Sequence, residues 1–150
     1  MAANTSPIFT NVPDVAWPLP TNNSVVVSAA NSTSLFNAYD GTSGAILVYT
    51  AASNGSFVQK LVCEAAGTNA ISVLRLHINN GTANTNASAN TLYMQYSLPA
   101  TTASTTAATA HIEIPLMLQL QAGYRLYVTL GAAAASLASG WYVTCVAGDY

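Results

Sequence analysis

At 150 residues the chain has three Lys or Arg and five Asp or Glu, so that 5% of it is charged against roughly 25% in an ordinary soluble domain. A net charge of -2 with three scattered cations, Lys60, Arg75 and Arg125, offers no basic field to a phosphate backbone or an anionic bilayer, which argues against nucleic acid and membrane as partners. With 51% apolar residues the chain is long enough to bury a single core without a metal or a disulfide, and no apolar run approaches the roughly 20 residues that span a bilayer.

Residues 1–22 hold Pro7, Pro13, Pro18 and Pro20, which rule out a helix and favour an extended arm. Between the prolines stand Ile8, Phe9, Val12, Val15, Trp17 and Leu19, too apolar a set for a free tail. The arm is therefore expected to lie on protein, either its own domain or a neighbouring subunit, with those six residues as its interface anchors. The segment lacks a positive cluster followed by an apolar stretch, so no secretory signal is expected and synthesis in the cytosol is.

Residues 23–150 read as one β-domain. Eight strand-like runs follow the arm, at 25–29, 45–50, 57–65, 71–79, 92–98, 111–120, 124–130 and 141–147. Turn dipeptides punctuate them: Asp40-Gly41, Asn54-Gly55 and Asn80-Gly81. Short strands at this spacing predict an all-β fold, an antiparallel β-sandwich.

Alternation assigns faces. Leu74, Leu76 and Ile78 should point inward with Arg75, His77 and Asn79 on the solvent side, and Tyr124, Leu126, Val128 and Leu130 inward opposite Arg125, Tyr127 and Thr129. Tyr93 also falls in phase with core positions, and Trp141 is expected to plug the sandwich. Pro115 cannot donate to a ladder, so its strand is expected at an edge or at a bulged corner. Three low-complexity connectors, 79–91, 101–110 and 131–139, are expected as loops with at most a turn of helix.

Cys63 and Cys145 alternate in phase with apolar neighbours and are read as buried thiols, with an inter-strand disulfide as the less favoured alternative. Two cysteines make no zinc site, and no H-x-x-x-H, C-x-x-C or calcium-loop pattern occurs, so no metal or cofactor is expected. His111 and Glu113, two apart on one strand, share a face as a base and its orienter would, and Arg75 with His77 repeats the spacing. Neither pair has a nucleophile beside it in the sequence, so catalysis is not expected. Tyr96, Tyr127, Tyr142 and Trp17 remain as aromatic surfaces on which a neutral sugar would stack. Six N-x-S/T triplets, at Asn4, Asn22, Asn31, Asn54, Asn80 and Asn86, reflect a composition rich in Asn, Ser and Thr.

The stretch IEIPLMLQLQAGYRLYVTLG from Ile112, followed by GWYVTCVAGDY from Gly140, resembles small structural proteins of tailed bacteriophages, whose understood members are capsid decoration or cement proteins. The resemblance implies a jelly-roll unit, commonly a homotrimer, that sits on the virion's capsid surface and binds the major capsid protein, with no catalytic residues. A receptor- or glycan-binding fibre module of the virion is the alternative, and a small hydrolase using His111 or Glu113 is a third.

Overall fold

A computed structural model describes residues 12–16, 26–27, 45–83, 89–130 and 140–150, with side chains from residue 45 onward. Every described element is a strand: β1 (Val12–Ala16), β2 (Val26–Val27), β3 (Ile46–Thr50), β4 (Ser56–Ala65), β5 (Ser72–Asn79), β6 (Asn90–Leu98), β7 (His111–Leu120), β8 (Arg125–Leu130) and β9 (Trp141–Asp149). The first sheet runs β1-β9-β4-β7, with β2 also paired to β9, and the second runs β3-β8-β5-β6.

This order is that of a long hairpin rolled over two sheets. β1 pairs with β9, β3 with β8, β4 with β7 and β5 with β6, all antiparallel, while the β4–β9 and β5–β8 pairings complete the sheets. That is a jelly roll: the antiparallel sandwich that the spacing of strands and turns predicts, in the form that the resemblance implies. β1 and β2 lie end to end along β9, opposite Cys145 to Asp149 and Trp141 to Tyr142 respectively. The described part of the N-terminal arm is thus an edge strand on the chain's own body.

The core forms between the sheets from the inward residues of each strand. Val58, Leu61, Cys63 and Ala65 of β4, Leu74 and Leu76 of β5, Leu126, Val128 and Leu130 of β8, and Trp141, Val143 and Cys145 of β9 are all buried in it. Each large aliphatic side chain so buried contributes about 1.5–3 kcal/mol. Cys63 and Cys145 sit diagonally on neighbouring strands, since Cys63 faces Val143 and Cys145 faces Leu61, and they do not form a disulfide. Diagonal positions stand farther apart than directly opposed ones, so the thiols remain separate.

The two Asn-Gly turns carry the backbone that only glycine adopts readily. Gly55 has φ +88 and Gly81 φ +92, and an added Cβ would meet the carbonyl oxygens of Leu120 and Gly123 respectively, each at 2.8 Å. Pro115 lies on β7, the free edge of the first sheet, beside a bulge: β7 fits one residue more than β4 between the pairs Val58–Leu118 and Lys60–Pro115. Met117 within that bulge has φ +49. Of the three connectors, 101–110 is irregular and largely exposed, while 84–88 and 131–139 lie outside the described residues.

Three expectations about faces are corrected. Arg75, His77 and Asn79 are not on a solvated face: they are 8%, 0% and 0% exposed. β5 is an interior strand of its sheet, and these polar residues are buried and bonded there; alternation distinguishes apolar from polar, which is not the same as dry from wet. Tyr127, expected as a free aromatic surface, is buried on that same face, opposite His77. Tyr93 is not a core residue and is 44% exposed. A register shift makes it the extra residue of β6 between the pairs Leu76–Met94 and His77–Leu92, which turns it out of the core phase.

Candidate functional site

Every charged residue among those described sits on a strand: Asp14, Lys60, Glu64, Arg75, Glu113, Arg125 and Asp149. The described connectors 51–55, 66–71, 80–83, 99–110 and 121–124 have none. The strand charges are also largely occupied. Arg75 Nε donates to Gln95 Oε1 at 3.3 Å, Arg125 Nη1 donates to the Thr82 carbonyl at 3.2 Å, and Asp149 Oδ1 accepts from both Tyr49 and Ser56 at 2.5 Å.

Lys60, Glu64 and Glu113 meet His111 in one patch on the outer face of the first sheet. β4 and β7 place Glu64 opposite His111 and Val62 opposite Glu113, with Lys60 opposite Pro115. His111 Nδ1 is 2.7 Å from Glu64 Oε2, its Nε2 is 3.9 Å from Glu113 Oε1, and Lys60 Nζ is 2.5 Å from that same oxygen. The hydrogen bond and charge of Lys60 hold the Glu113 carboxyl below its usual range. His111 and Glu113 are therefore brought onto one face as predicted, but the closer partner of the imidazole is Glu64, on the adjacent strand. Half-exposed ion pairs of this kind add little stability, and both ring nitrogens face carboxylates rather than a hydroxyl or thiol nucleophile.

On the outer face of the second sheet the buried polar row bonds to neighbours across strands. His77 Nε2 lies 3.2 Å from Thr129 Oγ1, and Asn79 Nδ2 donates to Asn90 Oδ1 at 2.8 Å. No group of three or more His, Cys, Asp or Glu able to hold a metal occurs among the described residues.

Two polar clusters that the sequence does not announce tie the body together. At one end, Asn69 is 3% exposed and its main chain exchanges hydrogen bonds with Thr101, 3.0 and 2.8 Å. Its Nδ2 donates to the Gly140 carbonyl at 2.9 Å, and its Oδ1 accepts from the Gly140 amide at 2.7 Å. One side chain thus joins the β4–β5 connector, the β6–β7 connector and the residue that enters β9. At the other end, the Tyr49, Ser56 and Asp149 cluster links the two sheets. A lone Asn or Tyr carries no motif, so neither cluster could be read before the strands were placed.

Of the expected arm anchors, Ile8, Phe9, Trp17 and Leu19 lie outside the described residues. Val12 and Val15 are in β1, opposite Asp149 and Val146. Tyr96 and Tyr142 are exposed, at 37% and 36%.

The chain matches no protein-family model and no curated protein. Among solved structures it is similar to a chain from the crystal structure of the T13 IBDV viral particle, at 12% identity and a TM-score of 0.37. That similarity covers 100% of this chain and 35% of the other, so the chain spans about a third of its length.

Proposed function

We propose that this chain is a non-enzymatic structural protein of a virus particle, one that decorates the capsid and reinforces it by gripping neighbouring capsid subunits. The observation that carries the reading is the uncharged character of every described connector on a jelly-roll body, an architecture used by viral capsid domains as well as by lectins and cupins. Free loops ordinarily carry solubilising charge, whereas loops of Ala, Thr, Ser and Asn suit permanent contact with other protein. Contacts made of apolar and neutral hydrogen-bonding groups also vary little with ionic strength. The resemblance to phage cement proteins supports the finer reading: the major capsid protein as partner, a place on the outer shell of the virion, and Ile8, Phe9, Val12, Val15, Trp17 and Leu19 as anchors.

Cryo-electron microscopy of particles purified from cells that make the chain tests this, with density for the sandwich expected over junctions between capsid subunits. Its absence from the shell overturns the proposal. Removing residues 1–11, which spares β1, tests the arm: binding to undecorated shells should fall while the body still folds. Undiminished binding removes Ile8 and Phe9 from the grip. The exposed Tyr96 and Tyr142 favour a second reading, a glycan-binding module of the virion, which a sugar array would reveal.

A further inference from the structure

We infer that the outer edge of β6 is a self-association surface that pairs antiparallel with β6 of a second copy. β6 ends the order β3-β8-β5-β6, so one of its sides carries main-chain groups that no described strand uses. Over its nine residues, NTLYMQYSL, it has neither a proline nor a charge, and Thr91, Tyr93, Gln95, Tyr96 and Ser97 are all exposed. Natural edge strands are ordinarily blunted by Lys, Pro, bulges or brevity, because an open ladder invites another strand.

The other edges among the described strands are blunted in those ways, β1 by Pro13 and Asp14 and β2 by its length of two residues. β7 carries Glu113, Pro115 and the bulge at Met117, and β3 is five residues long with its own register shift between Leu47 and Tyr49. β6 has a bulge only at Tyr93, which leaves an unbroken ladder from Met94 to Leu98.

The occupant is a second copy because the strand is complementary to itself. Thr, Gln, Ser and Tyr each carry both a donor and an acceptor, so identical strands meet matching groups in any antiparallel register. No like charges are brought into opposition, and with a net charge of -2 the two bodies repel weakly. The pairing is isologous: it uses the open edge of both copies at once, and association stops at two. This inference does not depend on the particle.

Sedimentation equilibrium of the purified full chain, from micromolar to near-millimolar concentration, should show a monomer–dimer equilibrium. Amide exchange across that range should slow within residues 90–98 and nowhere else on a strand edge. The double variant Tyr93→Lys, Ser97→Lys, altered only at exposed side chains and checked for folding by circular dichroism, should weaken the dimer by about tenfold or more. A chain that stays monomeric, a dimer protected on β7 or β3 instead, or a folded double variant that dimerises as well as the parent each overturns the assignment. Should the variant fail to fold, exchange in the parent chain decides alone.

Discussion

The hydroxyl of Tyr49, on β3 of the second sheet, donates to Asp149 Oδ1, on β9 of the first, at 2.5 Å, and so bridges the two layers at one end of the sandwich. Ser56 Oγ donates to the same oxygen at 2.5 Å and itself accepts from the Ala52 amide at 3.0 Å. Burial above all, and then the bond to Asp149, push the Tyr49 phenol far above its ordinary range, so it remains a donor at any physiological pH. Hydrogen bonds to an ionised acceptor contribute about 1.5–3 kcal/mol, and Tyr49→Phe should lower the unfolding free energy by that amount in urea titrations. A change within error would show the bridge to be idle.

The same cluster sets a pH dependence. Hydrogen bonds from Ser56 and then Tyr49 hold the Asp149 carboxyl below the usual carboxylate range. A carboxyl whose folded value is depressed adds stability above its unfolded pKa, near 4, and loses it as pH falls through the lower folded value. Melting temperature should therefore drop on acidification below about pH 4. In Asp149→Asn that acid limb should be shallower than in the parent chain.

Asn69 should be the most sensitive polar position outside the core. Asn69→Ala removes the bonds to both the amide and the carbonyl of Gly140; the carbonyl keeps the Ala66 amide at 3.0 Å, while the buried Gly140 amide loses its Oδ1 acceptor. An orphaned buried group costs about 1–3 kcal/mol, and a loss of that size is expected in chemical denaturation. Asn69→Asp keeps the acceptor and loses the donor, and it should fall between the two. Equal stability of all three would dismiss the staple.

The cysteines should be silent until the body opens. Cys63 is wholly buried and burial pushes its thiol up to about 12, while Cys145 is also wholly buried. A thiol reagent should label neither residue in native protein and both in denaturant. Prompt labelling of the folded chain would mean that the first sheet opens readily.

The patch at Lys60, Glu64, His111 and Glu113 should be dispensable for folding. Its groups are half-exposed and solvent competes for each pair. His111→Ala and Glu113→Gln should melt with the parent chain, and neither should abolish any hydrolysis of ester or peptide substrates above background. A pH-dependent activity lost in both variants would make the patch a catalytic site and end the structural reading.

Solvent exposure of polar side chains was the least legible property in the sequence. Arg75, His77 and Asn79 alternate with leucines as an outward row does, yet they are buried, and His77 and Asn79 bond to cross-strand neighbours, Thr129 and Asn90. Tyr93 shows the reverse case, since one bulge residue shifts the phase of everything on one side of it. The His111 and Glu113 pairing on one face was readable from their spacing, while Glu64 as the nearer partner was not, because it comes from a neighbouring strand.

What the amino-acid order determined by itself was local: eight strand runs, the two Asn-Gly turns, the inward phase of Leu126 and Trp141, the edge position implied by Pro115, and a surface nearly free of charge. Those features follow from the two-residue period of a strand and from backbone conformations that only glycine and proline favour. Only the tertiary structure decided which strands pair. The rolled order that sets β1 on β9 and leaves β6 at the end of the described strands joins residues a hundred or more positions apart, as Tyr49 and Val12 are joined to Asp149. Such contacts arise from burying both sheets at once, and no local pattern encodes them.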